Sequence, residues 1–261
     1  MPRKPRKKET KEAEAAKEAP KETPEEKPVA KDDFILVDLT GKAEETGEVF
    51  ETTNEETART AGLPVEGKTF APRVVVAGDG WVLKGLDDGF IGLKVGGEGK
   101  VEVSPADAFG ERDMSKIQTI PYRVLRSKGV NPTLGAQVDY EGRTAIIRSI
   151  GAGRVQLDFN PPLAGRKLLY DVKVLKRFET DDEKIRALIQ RRILAFDTSK
   201  FGIKITKKKA DITVPEEIIY GENIQFVKRG ISLDILKYFP KLENVTFIEE
   251  FKREPAAEEK S

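Results

Sequence analysis

The chain has 261 residues, with 46 Lys and Arg against 45 Asp and Glu, a net charge of +1 at pH 7 and 35% charged side chains. Histidine and cysteine are absent, which excludes disulfide scaffolds, thiolate zinc sites and Ser-His-Asp or Cys-His catalysis. No run approaches the roughly 20 apolar residues of a membrane span, and the basic N-terminus lacks the apolar centre of a signal peptide. The expectation is a cytoplasmic protein of two or three domains, without cofactor or membrane partner.

Residues 1–32 are mostly Lys, Arg, Glu, Ala and Pro, too polar to bury a core, and read as a disordered charged tail. The basic run Arg3–Lys11 reads as solvated, with contact to nucleic acid or the ribosome as the alternative. Asp33–Thr40 (DFILVDLT) predicts a first strand, with turns at Thr40-Gly41 and Gly47, and Glu48–Thr53 (EVFETT) follows. Asn54–Gly62 predicts a short helix capped by Thr53 or Asn54. Val74, Val75 and Val76 read as a buried strand broken by Gly78 and Gly80. Val82, Leu83, Leu86, Phe90 and Ile91 then share one helix face. Asp87 and Asp88 are neighbours on that helix and read as its solvated side. Gly96, Gly97 and Gly99 form a turn, Lys100–Ser104 alternates as a strand, and Ala108-Phe109-Gly110 sets an aromatic on a loop.

The next stretch, 112–160, is too long for a plain loop. Ile117, Ile120, Tyr122, Val124 and Leu125 are spread through a loop and short turn. Gln137–Tyr140, Thr144–Ile150 and Arg154–Phe159 read as strands joined by hairpins. Leu168–Phe178 is a closing strand. Residues 181–252 read in the order αββααβ, a small α+β unit. Thr180-Asp181 caps its first helix, whose stripe is Ile185, Leu188, Ile189, Ile193 and Phe196. Ser232 is expected to cap a late helix, Leu233–Phe239. Lys207–Lys209 reads as a solvated turn, and 253–261 as a polar tail.

Several fragments in order resemble the FKBP family of peptidyl-prolyl isomerases. They are Glu48–Thr53, Val82–Gly89 (VLKGLDDG), Gly99–Gly110, and Asn160–Gly165 (NPPLAG) followed by Lys167–Val174 (KLLYDVKV). The late NPPLAG piece after a long gap is similar to the SlyD-like, insert-in-flap branch, in its archaeal long type. The resemblance implies an α+β fold: an FKBP-like antiparallel sheet wrapped on a short helix (33–111 and 161–178), an inserted small β domain (112–160) and a C-terminal α+β domain (181–252).

It also implies prolyl isomerisation in an apolar pocket walled by Phe50, Val82, Leu83, Leu86, Phe109 and Tyr170, with Glu51 as the carboxylate beside the bound carbonyl. Trp81 falls at the pocket's edge. Glu51 replaces the usual aspartate, Leu39 and Phe109 stand where tyrosines are common, and Leu86 takes a floor position that often holds tryptophan. By the same resemblance the insert binds unfolded or nascent proline-containing polypeptides through Ile117, Ile120, Tyr122, Val124 and Leu125. A chaperoning isomerase is therefore expected; a holdase with residual isomerase activity is the alternative. A homodimer through 181–252 completes the expectations.

Overall fold

The computed structural model describes residues 27–251, apart from Ala195. The basic run Arg3–Lys11 and the tail 253–261 lie outside the described residues. Among the described residues, no helix is long and apolar enough to cross a membrane.

The chain opens with β1 (Phe34–Ala43), β2 (Val49–Thr52), α1 (Glu55–Thr60), β3 (Arg73–Val76), α2 (Lys84–Phe90) and β4 (Glu98–Val103). Then come β5 (Ile117–Pro121), α3 (Tyr122–Ser127), β6 (Gln137–Tyr140), β7 (Arg143–Gly151) and β8 (Arg154–Asp158). The long β9 (Leu168–Phe178) leads into α4 (Asp181–Arg192), β10 (Gly202–Ile205), β11 (Lys209–Val214), α5 (Glu216–Ile219), α6 (Ile224–Tyr238) and β12 (Asn244–Glu249).

Three sheets result. The first has the order β2-β1-β9-β4, with β3 also paired to β1, and every pairing is antiparallel. Helix α2 packs on β4, and glycines at Gly85 and Gly89 permit the close approach: an added Cβ would lie 2.6 Å from Val103 and 2.2 Å from Val101. Beneath the helix, Leu86 and Phe90 meet Ile35, Val37, Val75, Tyr170 and Val174 in one core. The insert is an antiparallel sheet, β5-β8-β7-β6, closed over Leu125, Ile147, Val155 and Leu157. In the third sheet β11 pairs antiparallel with β10 and parallel with β12. That parallel pair needs a crossover, which α5 and α6 supply.

Several expectations change. β1 runs through Thr40 and Gly41 without turning; the turn falls at Glu44–Thr46. Ile91 is outside α2, extended and 46% exposed, so it does not share the helix's apolar face. The stretch taken as a loop before the insert's hairpins is a strand and a helix, β5 and α3. Ser232 lies inside α6, donating to the Lys228 carbonyl, and caps nothing. Part of the supposed tail is ordered: Val29 is 2% exposed in the first core, and its N–H donates to the Leu93 carbonyl at 2.8 Å. Of the lysines at 207–209, Lys208 pairs with Glu243 at 2.6 Å and Lys209 with Asp211 at 2.8 Å.

Candidate active site

The candidate site is built around a missing side chain. Gly41 sits in β1 between Glu51 of β2 and Tyr170 of β9, opposite both in register. A Cβ there would come within 2.7 Å of the Phe50 ring and 2.8 Å of the Tyr170 ring. The space it leaves lets Tyr170 reach across the strand, and its hydroxyl donates to Glu51 Oε1 at 2.6 Å. The other carboxylate oxygen of Glu51 accepts from Arg73 Nη2 at 3.2 Å. Burial pushes the Tyr170 hydroxyl well above the ordinary phenol range, and the bond to Glu51 pushes it further. Tyr170 therefore stays protonated and keeps donating.

Phe50 is the hub of the aromatic wall. It meets Tyr170 edge-to-face with centroids 5.7 Å apart, and Phe109 likewise at 6.5 Å. Phe109 is 39% exposed and stands at the rim. Its loop is shaped by a 3₁₀ turn, Pro105–Asp107, capped by Ser104, and Gly110 closes it by donating to the Pro105 carbonyl. Lys84 ties that loop to α2, reaching Asp107 and Asp88 at 3.0 Å each. Val82 and Leu83 are half-buried against the same core, and Leu86 is fully buried with Tyr170 beneath them. The expected residues Phe50, Val82, Leu83, Leu86 and Tyr170 thus share one core with Glu51 at its edge, and Phe109 joins through Phe50.

Asp87 corrects the reading of a solvated Asp pair. Asp88 is exposed, but Asp87 is only 4% exposed. Its carboxylate accepts from the N–H groups of Gly78 at 2.9 Å and Gly80 at 2.7 Å. Both glycines have positive φ, so the β3–α2 turn presents its amides to one acceptor. Trp81, on the same turn, packs against both the first core and the core shared with the C-terminal unit.

Of the residues expected to touch clients, Leu125 is fully buried at the centre of the insert, because α3 turns it inward. Ile117, Ile120, Tyr122 and Val124 are half-buried. Exposed apolar residues that the sequence reading passed over are Met114, Leu134 and Ile150. Met114 and Leu134 lie outside any strand or α-helix and so give no periodic signal. The two ends of the insert are clamped together: Asp158 binds Arg112 at 2.8 Å and Arg148 at 3.1 Å, and Asn160 Oδ1 accepts from the Asp113 N–H at 2.9 Å. A second cleft, on the opposite face of the first sheet, is lined by Asp38, Thr53, Glu98, Lys100, Asp171 and Lys173. Leu39 and Val172 also border it, but no aromatic side chain does, so it lacks the ring-on-ring wall found around Phe50.

Comparison with known proteins gives the same family from several directions. The profile for FKBP-type peptidyl-prolyl cis-trans isomerases matches residues 25–125. The FKBP26 IF-domain profile matches 118–163, and the FKBP26 C-terminal profile matches 181–252. A short-type peptidyl-prolyl cis-trans isomerase of Methanocaldococcus jannaschii is 31% identical over 146 residues, covering 56% of this chain and 92% of the relative. An FKBP-type 16 kDa isomerase of Escherichia coli K12 is 32% identical over 110 residues, covering 40% of this chain and 73% of the relative. The SlyD isomerase of Helicobacter pylori is 26% identical over 120 residues, covering 44% and 64%. With its sheet, its short helix and its matched segments in order, the chain belongs to the FKBP-type peptidyl-prolyl cis-trans isomerase family.

Proposed function

We propose that the isomerase reaction runs on X-Pro bonds of unfolded or nascent polypeptides at the surface formed by Phe50, Val82, Leu83 and Phe109, with Leu86 and Tyr170 buried directly behind them as its supporting floor. Rotation about X-Pro breaks no bond; the barrier of ~20 kcal/mol is lost amide resonance. A twisted amide is less polar than a planar one, so a dry apolar wall favours the transition state over the ground state. Glu51 has both oxygens occupied, by Tyr170 and Arg73. It works as an anchor that holds the Tyr170 ring and the Arg73 guanidinium in place, and Arg73 keeps further N–H donors for a substrate carbonyl.

The observation that carries this reading is the convergence of Phe50, Phe109 and Tyr170 in edge-to-face contact above Leu86. The tyrosine hydroxyls absent at Leu39 and Phe109 favour the holdase alternative. Tyr170 reaches across β1 to donate its hydroxyl to Glu51, so the site keeps a fixed tyrosine–carboxylate pair, which favours the enzyme.

The insert adds capture of unfolded chain. Ile120, Val155 and Ile150 lie in one cross-strand row whose centre, Val155, is buried in the insert's core, while Ile120 at one end is half-buried and Ile150 at the other is exposed; the two end residues are the ones open to a client. Together with Met114 and Leu134 they offer apolar surface that a small module cannot hide.

The test of the pocket is Phe109→Ala, chosen because the exposed ring can be removed without opening a core. We expect kcat/KM on a short X-Pro peptide to fall at least about tenfold, roughly 1.4 kcal/mol of transition-state stabilisation. A folded variant with wild-type turnover would sink the assignment.

A further inference from the structure

The C-terminal unit does not hang from the first unit by a linker; it grips the turn that feeds the cleft. At the end of α6, Lys237 Nζ lies 2.6 Å from the Asp79 carboxylate, and the Tyr238 hydroxyl donates to the same oxygen. The Tyr238 ring stands edge-on to Trp81 with centroids 5.7 Å apart, and edge-on to Phe34 at 5.2 Å. From α4, the Arg191 guanidinium lies 4.0 Å over the Trp81 ring. Asp234 of α6 steadies that face, pairing with Arg191 at 3.6 Å and Arg192 at 2.9 Å. Thus Asp79 and Trp81 are held by residues some 110 to 160 positions later in the chain; Asp79 and Lys237 are 158 positions apart.

The held residues are well placed to matter. Trp81 directly precedes Val82 and Leu83, and Leu83 is the N-cap of α2. The other side of the same turn is pinned by Asp87 through Gly78 and Gly80. A turn with two positive-φ glycines has little stiffness of its own. Its geometry is set by what it touches, from below by α2 and from outside by the C-terminal unit.

We propose that Tyr238 and Arg191 are positioning residues of the isomerase site: the C-terminal unit seats Trp81 and so fixes the Val82–Leu83 wall against which the substrate binds. The proposal rests on the pocket assigned above. Displacing a binding wall by even 1 Å is costly in rate and affinity. Burial raises the Asp79 carboxyl, but its bonds from Lys237, Tyr238 and Trp81 outweigh that and hold it below the usual range; burial and the Asp79 bond push the Tyr238 hydroxyl up to about 12. The contact therefore keeps its charge and its proton throughout the neutral range.

The test uses the full chain, with Trp81 as a built-in reporter because it is the only tryptophan. In Tyr238→Ala, Trp81 emission should move to longer wavelength and KM for an X-Pro peptide should rise about fivefold, with kcat within about twofold. Tyr238→Phe keeps the ring and should return KM to within about twofold of wild type. Arg191→Met removes the guanidinium over Trp81 and leaves Tyr238 and Phe34 in place; KM should rise about threefold or more, and this variant carries the test if Tyr238→Ala does not fold. A purely structural role would lower the melting temperature and leave KM unmoved. Phe109→Ala, run alongside, reads the pocket without disturbing the C-terminal unit. A loss there, with red-shifted emission but unchanged KM in Tyr238→Ala, overturns the positioning role alone. No loss in Phe109→Ala overturns the pocket assignment, and the proposal with it.

Discussion

At the scale of single residues, the glycines of α2 show how packing overrides propensity. Alanine is the better helix former by about 1 kcal/mol. At Gly89, however, the added carbon would meet Val101 Cγ1 at 2.2 Å, and both Val101 methyls and its Cβ lie within 3.1 Å. Overpacking of that kind costs about 1–3 kcal/mol. Strain wins, and Gly89→Ala should lower unfolding stability by at least about 1 kcal/mol in urea titrations followed by Trp81 emission. Val101→Ala makes room, so the double variant should lose less than the two single variants added together. Simple additivity would mean that the glycine is not there for the strand. The VLKGLDDG motif was legible as a helix start; which of its carboxylates turns inward was not. Asp87 and Asp88 look alike in sequence, and the choice is made by the unpaired amides of Gly78 and Gly80, which belong to the preceding turn.

At the scale of elements, α4 was read well because its signals are local. Thr180 caps it and Glu183 completes the capping box. Glu183 is held down from 4.5 to about 2, first by the Lys176 ammonium; burial opposes, and the backbone amides of Glu179 and Thr180 add to the lowering. A carboxylate depressed on folding stabilises above its unfolded value and ceases to do so as pH falls through its folded value. Glu183→Gln retains the cap hydrogen bonds but loses the charge. The stability gap between wild type and this variant should be full above about pH 4.5 and close by about pH 2. Glu183 is one-third exposed and the gap will be modest. A gap unchanged between pH 6 and pH 2 would show that the charge is irrelevant. Helix α6 was read badly for the opposite reason. Gly230 and Ser232 look like a break and a cap, yet both sit inside the helix. A Cβ at Gly230 would lie 3.0 Å from the Arg192 guanidinium, so the glycine serves the α4–α6 contact, which no local window contains. β5 and α3 escaped notice because their apolar residues are spread between half-buried positions.

At the scale of the whole molecule, the contacts between units could not be read from sequence fragments. The C-terminal unit shares a core with β1 and β3 through Phe34, Val74 and Val76, a union invisible to any reading by segments. The insert is built differently: a polar latch fastens its two chain ends to each other. Asp158 is 1% exposed and draws Arg112 and Arg148 together. Burial raises its carboxyl, but bonds from Asn160, Arg148 and Arg112 outweigh that and hold it below the usual range. Asn160 clasps the backbone of Asp113 on either side of its Cα, donating to the Asp113 carbonyl and accepting from its N–H. The two crossings therefore lie side by side, and the insert can be removed without spanning a gap.

That geometry makes the division of labour testable. On the proposed reading a short peptide needs only the cleft, whereas an unfolded protein would gain from being held nearby, since capture raises the local concentration of its prolines at the site. Replacing 114–157 with a short Gly-Ser turn keeps Asp113, Asp158 and Asn160. Peptide isomerisation should stay within about tenfold of wild type, while proline-limited refolding of a protein client should slow by about a hundredfold or more. Refolding traces monitored with and without catalytic amounts of each form give the second number directly. Equal losses on both substrates would mean that the insert shapes the cleft itself, through Phe109 and the loop ending at Gly110, whose carbonyl accepts from the Gly165 N–H at 2.9 Å. In that case capture and catalysis would be one site rather than two, and the apolar row ending at Ile150 would need another occupant.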